Sequence, residues 1–175
     1  MVKSVCRFIQ PTIFFLCLIP NVSAHGGGDN DGLTNLQVLL ISIAISGLFY
    51  FLHQKFLTGK SNVTSILASL AMFSALVHVL LGLKNELLLV GGIGVLAILV
   101  APLVSDSIKS YDKILQGMLG TVISIVFVAY FVSNHDLHYI MEDYLGITTK
   151  LAELGVIFLL LKNLRQNSES VEPIA

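Results

Sequence analysis

Five apolar segments dominate the sequence: Leu33–Leu52, Val63–Leu83, Leu87–Val104, Ile114–Val132 and Ile147–Leu164, each 18 to 21 residues long. A helix rises 1.5 Å per residue, so segments of this length match a hydrocarbon layer of about 30 Å. In such a layer the backbone must satisfy its own hydrogen bonds, which leaves helices or closed barrels. The runs are continuous and lack the alternation of barrel strands, so they read as helices. Glu153 interrupts the last of them. Composition agrees, with 55% hydrophobic and 12% charged residues where soluble domains carry about 25% charged. The expected fold class is an all-α integral membrane protein: a five-helix transmembrane bundle after a cleaved signal peptide.

The leader reading rests on Lys3 and Arg7, the apolar run Phe8–Ile19 and the small residues Val22-Ser23-Ala24. A basic start, a short apolar core and a small-residue cleavage site make up a secretory signal. The domain boundaries are then 1–24 for the signal peptide and 25–32 for an extracytoplasmic segment. Residues 33–164 form the membrane domain and 165–175 a cytoplasmic tail. Both cysteines, Cys6 and Cys17, fall in the leader, so the mature chain has no disulfide or thiolate ligand.

Charge orients the bundle. With the mature N-terminus outside, the inner loops and tail carry Lys55, Lys60, Lys109, Lys113, Lys162 and Arg165, against Lys84 and Lys150 outside. That bias follows the positive-inside rule and indicates a multi-pass protein of the cell membrane with a cytoplasmic C-terminus. The outer side gathers Asp29, Asp31, Glu86, Asp136, Glu142, Asp143 and Glu153, a surface that attracts cations. Net charge is −1 with no basic stripe, which excludes an electrostatic nucleic-acid binder.

Small residues recur four apart: Ser42/Ser46, Ser65/Ser69, Ala71/Ala75, Ala97/Ala101, Gly117/Thr121 and Gly120/Ser124. Such pairs let helix backbones approach closely in lipid, within the bundle or against partner membrane subunits. Asn35, Ser42, Ser46 and His53 share one face of the first helix and suit interhelical hydrogen bonds.

The densest titratable stretch is Ser133–Gly146. Its apolar residues Leu137, Ile140, Met141, Tyr144 and Leu145 share one helical face, as in a short helix lying in the outer interface and ended by Gly146. On its polar face His135, His138 and Glu142 converge within about 60° at 100° per residue, a set suited to copper or another divalent metal. His25, exposed by cleavage after Ala24, adds an amine and an imidazole on the same side, with His78 as a possible further ligand. In this the chain resembles copper proteins that begin with histidine, among them a subunit of the membrane methane and ammonia monooxygenases. The run His78–Asn85 is similar to the H-P-x-x-G-L-D-H signature of nickel-permease-like membrane proteins, but Lys84 and Asn85 stand at its metal-binding Asp and His.

Glu153 reads as an acid near the start of the last helix, where the helix dipole favours it. His53, beside Lys55, reads as an interfacial residue. No phosphate loop, H-E-x-x-H or G-x-S-x-G occurs, so no catalytic constellation is legible. The expected function is a non-catalytic subunit or assembly factor of a membrane complex, with outer-face copper binding or transport as the alternative. N-terminal sequencing of the mature chain checks the leader: His25 is expected first, and an intact Met1 removes the amine ligand from the copper reading.

Overall fold

The computed structural model describes residues 33–57, 63–82, 86–105, 108, 110–133 and 143–169. Five helices account for nearly all of them: α1 (Asn35–Leu52), α2 (Ser65–Gly82), α3 (Glu86–Val104), α4 (Asp112–Ser133) and α5 (Tyr144–Glu169). A single π-helical turn, His53–Leu57, prolongs α1. Four helices are long and apolar enough to cross a membrane, and the apolar part of α3, Leu88–Val104, is shorter. At 1.5 Å per residue that stretch covers about 26 Å. The weak member is therefore α3, whereas the sequence singled out the segment holding Glu153.

Polar residues at the helix starts explain the boundaries. Thr34 caps α1 through a reciprocal capping box with Gln37. Thr64 accepts from the Leu67 N–H at the head of α2, and Asp143 accepts from the Gly146 N–H at the head of α5. α5 thus begins three residues before the expected Ile147 and takes in Tyr144, Leu145 and Gly146. Gly146 was expected to end an interfacial helix; it lies instead in the first turn of α5. Leu145, expected to face lipid, is buried against Val38, Phe73, Val77 and Ala152. Residues 134–142 of that expected helix lie outside the described residues, as do the leader and residues 25–32.

Helices α2, α3, α4 and α5 pack in a closed ring, α2 touching both α3 and α5, while α1 lies against α2 and the edge of α5. The ring encloses Leu67, Ala71, Met72, Ala75, Val95, Leu99, Leu119, Ile123, Val156 and Leu160. Directions alternate: Asn35, Leu81, Leu88, Tyr130 and Gly146 meet at one end. Phe49, His53, Val63, Leu103 and Asp112 meet at the other.

The tightest seam joins α2 and α3. A Cβ added at Gly92 would meet the Ala75 carbonyl oxygen and the Val79 backbone nitrogen at 2.8 Å. Ala71 and Ala75 are fully buried along it. The α1–α2 seam is polar, as the serine pattern suggested: Ser69 donates to the Ser46 carbonyl at 3.0 Å, and His53 Nδ1 shares a hydrogen bond with Ser65 Oγ at 3.0 Å. His53 is only 3% exposed, so at the end of α1 it is buried in the seam. Ala97, Gly117 and Thr121 are exposed, so those two small-residue pairs do not serve the bundle interior.

The seam makes a paired prediction. Gly92→Val is expected to lower the thermal stability of the purified protein, by an overpacking cost on the order of 1–3 kcal/mol. Gly94→Val, where an added Cβ meets nothing within 4 Å, should leave the melting curve unchanged; equal effects at both sites would overturn the close-approach account.

Candidate functional site

Helix α5 carries two charged side chains into the bundle. Lys150 and Glu153 lie three residues apart, so both fall on one side of the helix. Glu153 has no exposed surface and Lys150 is 6% exposed. Nine residues separate Tyr144 from Glu153, about 14 Å of helix, which rules out a terminal-dipole role of the kind expected from the sequence. Lys150 was counted among the outer-side charges; it is a buried internal residue of α5.

Burying two charges demands partners, and they come from neighbouring helices. Lys150 Nζ donates to Glu153 Oε2 at 2.7 Å and to the Val126 carbonyl of α4 at 3.3 Å. Ser74 of α2 donates to Glu153 Oε1 at 2.9 Å. His78, one turn further along α2, places Nδ1 2.6 Å from the Ser74 carbonyl oxygen. A carbonyl only accepts, so Nδ1 carries the hydrogen and Nε2 is the atom left to gain or lose a proton. Nε2 lies 3.5 Å from Glu153 Oε1. Three helices, α2, α4 and α5, therefore meet on one ion pair.

A second polar contact flanks it. Tyr130 of α4 donates to Asp143 Oδ2 at 3.0 Å, while Oδ1 holds the Gly146 N–H. Asp143 thus ties the head of α5 to the tail of α4. The Lys150 ammonium lies 5.1 Å from the Tyr130 ring centre and 6.0 Å from that of Phe127, within cation–π range.

Beside these groups lies a cavity of about 600 Å³. His78, Tyr130, Asp143, Thr149 and Lys150 bound one part, and Asn35 of α1 also lines it. The rest is mostly apolar, with Leu88, Val122 and Val126 on α3 and α4 and Val77, Leu81 and Leu145 on α2 and α5. Val90 and Ile125 also line it and are 69% and 62% exposed, so its mouth opens between α3 and α4 on the outside of the ring. At the opposite end, a space of about 20 Å³ lies among His53, Asp112 and Gln116, room for about one water molecule. Gln116 donates to Asp112 there at 2.8 Å.

Of the expected metal ligands, His25, His135, His138 and Glu142 lie outside the described residues. His78 is placed at the Lys150–Glu153 pair. Among the described residues no three His, Cys, Asp or Glu side chains converge as a metal site needs. The sequence reading missed Lys150, Ser74, Tyr130 and Asp143 as a group. The available signal was the i, i+3 spacing of Lys150 and Glu153, which in an apolar segment neutralises the acid within its own helix.

No protein-family model, no curated protein and no solved structure matches the chain. The site is therefore read from its own chemistry.

The ion pair sets a test of the network. Lys150→Met leaves Glu153 buried without its cation and is expected to cost about 3–5 kcal/mol of stability. Lys150→Met combined with Glu153→Gln removes both charges and should recover most of it, read by thermal unfolding in detergent. A double variant as unstable as the single one would overturn the pairing.

Proposed function

We propose that the chain is a multi-pass membrane protein that holds a small lipid-soluble molecule in the cavity beside Lys150. The proposed orientation places the Asn35 end of the bundle outside the cytoplasm and the C-terminal tail within it, in keeping with the lysine bias. One observation carries the ligand reading: an apolar-walled space of about 600 Å³ that ends on Lys150, Tyr130 and His78 and opens between α3 and α4. Its volume falls within the ~300–1,000 Å³ of small-molecule sites. Filled with water it would take about twenty molecules at ~30 Å³ each, most of them against apolar walls that offer no hydrogen bond. A molecule with an apolar body and one polar group satisfies both parts of the lining.

In this reading the protein is a binding module and not an enzyme. The charged groups already hold one another. The subunit role is a second reading, favoured by Gly117: an added Cβ there meets nothing within 4 Å, and Thr121 one turn on is exposed. That face leaves room for a helix of another chain to come close.

One preparation tests both. The protein is extracted into native lipid nanodiscs, and organic-solvent extracts of wild type and Ala129→Trp are compared by mass spectrometry. Ala129 lines the cavity, and an indole there fills much of it. A lipid-soluble compound enriched at near-equimolar ratio in wild type and lost from Ala129→Trp is the expected result. Equal extracts from the two would overturn the ligand reading, and a co-eluting membrane protein in both would favour the subunit role.

A further inference from the structure

The cavity's polar end is selective, and its hydrogen-bond inventory shows for what. An ammonium has three N–H donors. Two of those on Lys150 are taken, by Glu153 Oε2 and the Val126 carbonyl oxygen. The third has no acceptor among the described residues; the nearest electron-rich groups are the ring faces of Tyr130 and Phe127. Lys150 lines the cavity, so a ligand acceptor can meet that third donor. A buried donor left unmatched costs on the order of 1–3 kcal/mol, more when charged, and this is the gain open to a ligand that supplies an oxygen.

Charge narrows the class. Lys150, Glu153 and Asp143 sum to −1, so an anionic head group enters a site that is already net negative. A cationic head group meets the Lys150 ammonium, which already occupies the carboxylate and the ring faces such a ligand would seek. Like charges brought together in a dry pocket discriminate strongly. The carboxylate oxygens of Asp143 already accept from Tyr130 and Gly146, and His78 Nε2 is directed toward Glu153. A ligand hydroxyl brings a donor as well as an acceptor. The wall can receive that donor at His78 Nε2, which carries no hydrogen in the neutral ring, or at the Thr149 oxygen, whose own hydrogen is on the Leu145 carbonyl. A carbonyl brings acceptor lone pairs and no donor.

We infer that the cavity recognises a neutral, lipid-soluble compound that carries an oxygen acceptor, a carbonyl or a hydroxyl, with that oxygen on the Lys150 ammonium and its apolar body along α3 and α4. This rests on the ligand-binding reading above and names the ligand class of that same site. Binding is non-covalent: the lysine stays in its ion pair, and no bond is made or broken. Entry is lateral, through the gap flanked by Val90 and Ile125, which suits a molecule that dissolves in the bilayer and not in water.

The experiment varies the head group alone. A long-chain methyl ketone and the alcohol, fatty acid, alkylamine and alkane of the same chain length are titrated calorimetrically into nanodiscs holding the full chain. Ala129→Trp nanodiscs supply the background for partition into lipid. The ketone and the alcohol are each expected to bind at least roughly tenfold tighter than the acid, the amine and the alkane, a ratio of the size one hydrogen bond to a charged group provides. Lys150→Met with Glu153→Gln, which keeps the bundle neutral, should bind ketone and alkane alike. If the acid or the amine binds tightest and Ala129→Trp abolishes it, the neutral-oxygen class is overturned while the ligand site stands. If all five bind equally above background, Lys150 plays no part and the inference fails. If none exceeds the filled-cavity background, the site reading fails with it.

Discussion

A carboxylate with no exposed surface is the constraint on which the rest of this bundle depends. Glu153 needs donors, and α5 by itself supplies only Lys150. A further donor is Ser74 of α2, the α4 carbonyl of Val126 anchors the lysine, and His78 Nε2 stands 3.5 Å from the carboxylate. Each contact has a short geometric tolerance, so together they fix the rotation and height of α5 against two neighbours. Apolar packing in lipid lacks such directionality, because a leucine faces acyl chains about as comfortably as another leucine. The ion pair specifies which of many similar apolar arrangements is adopted.

The cavity follows from what lies on either side of that pair. On the α2–α3 side, Gly92 and Ala75 draw two backbones together and leave no space. On the α3–α4 side the approach is looser: a Cβ at Gly91 would meet only the Val126 side chain, at 3.2 Å, and the cavity lies between the two helices toward the Asn35 end. Closeness in one seam and separation in the next let a small ring enclose a sizeable space. The polar groups lie at its inner limit because they belong to the helices that meet at the pair.

Helix positions were legible because apolar run length and bilayer thickness are directly linked, and caps at Thr34, Thr64 and Asp143 refine the starts to within a few residues. The site was far less legible. Lys150 was counted with the outer-side charges because its segment was taken to start at Ile147, which put it within one turn of the end of the span. Moving the start to Tyr144 turns the same lysine into an internal residue. Glu153 looked like a dipole partner for the same reason. His53 illustrates a different limit: its neighbour Lys55 marked the end of a span, but a π-helical turn carries the ring back to Ser65. Counting small pairs found the Ala71/Ala75 seam but missed Gly92, whose partner contacts lie on another helix and leave no periodic trace in its own.

The three-residue spacing of Lys150 and Glu153 has a consequence for biogenesis. In the membrane setting proposed here, α5 must enter the bilayer before its partners on α2 and α4 are docked. A lone acid or lysine at the centre of a helix raises the cost of insertion by about 2.5–3.5 kcal/mol each on translocon scales. Because both sit on the same helix face, they can neutralise one another while the segment is still solitary. The helix enters as a dipole with no net charge from the pair, and assembly then adds the Ser74 and Val126 contacts from α2 and α4.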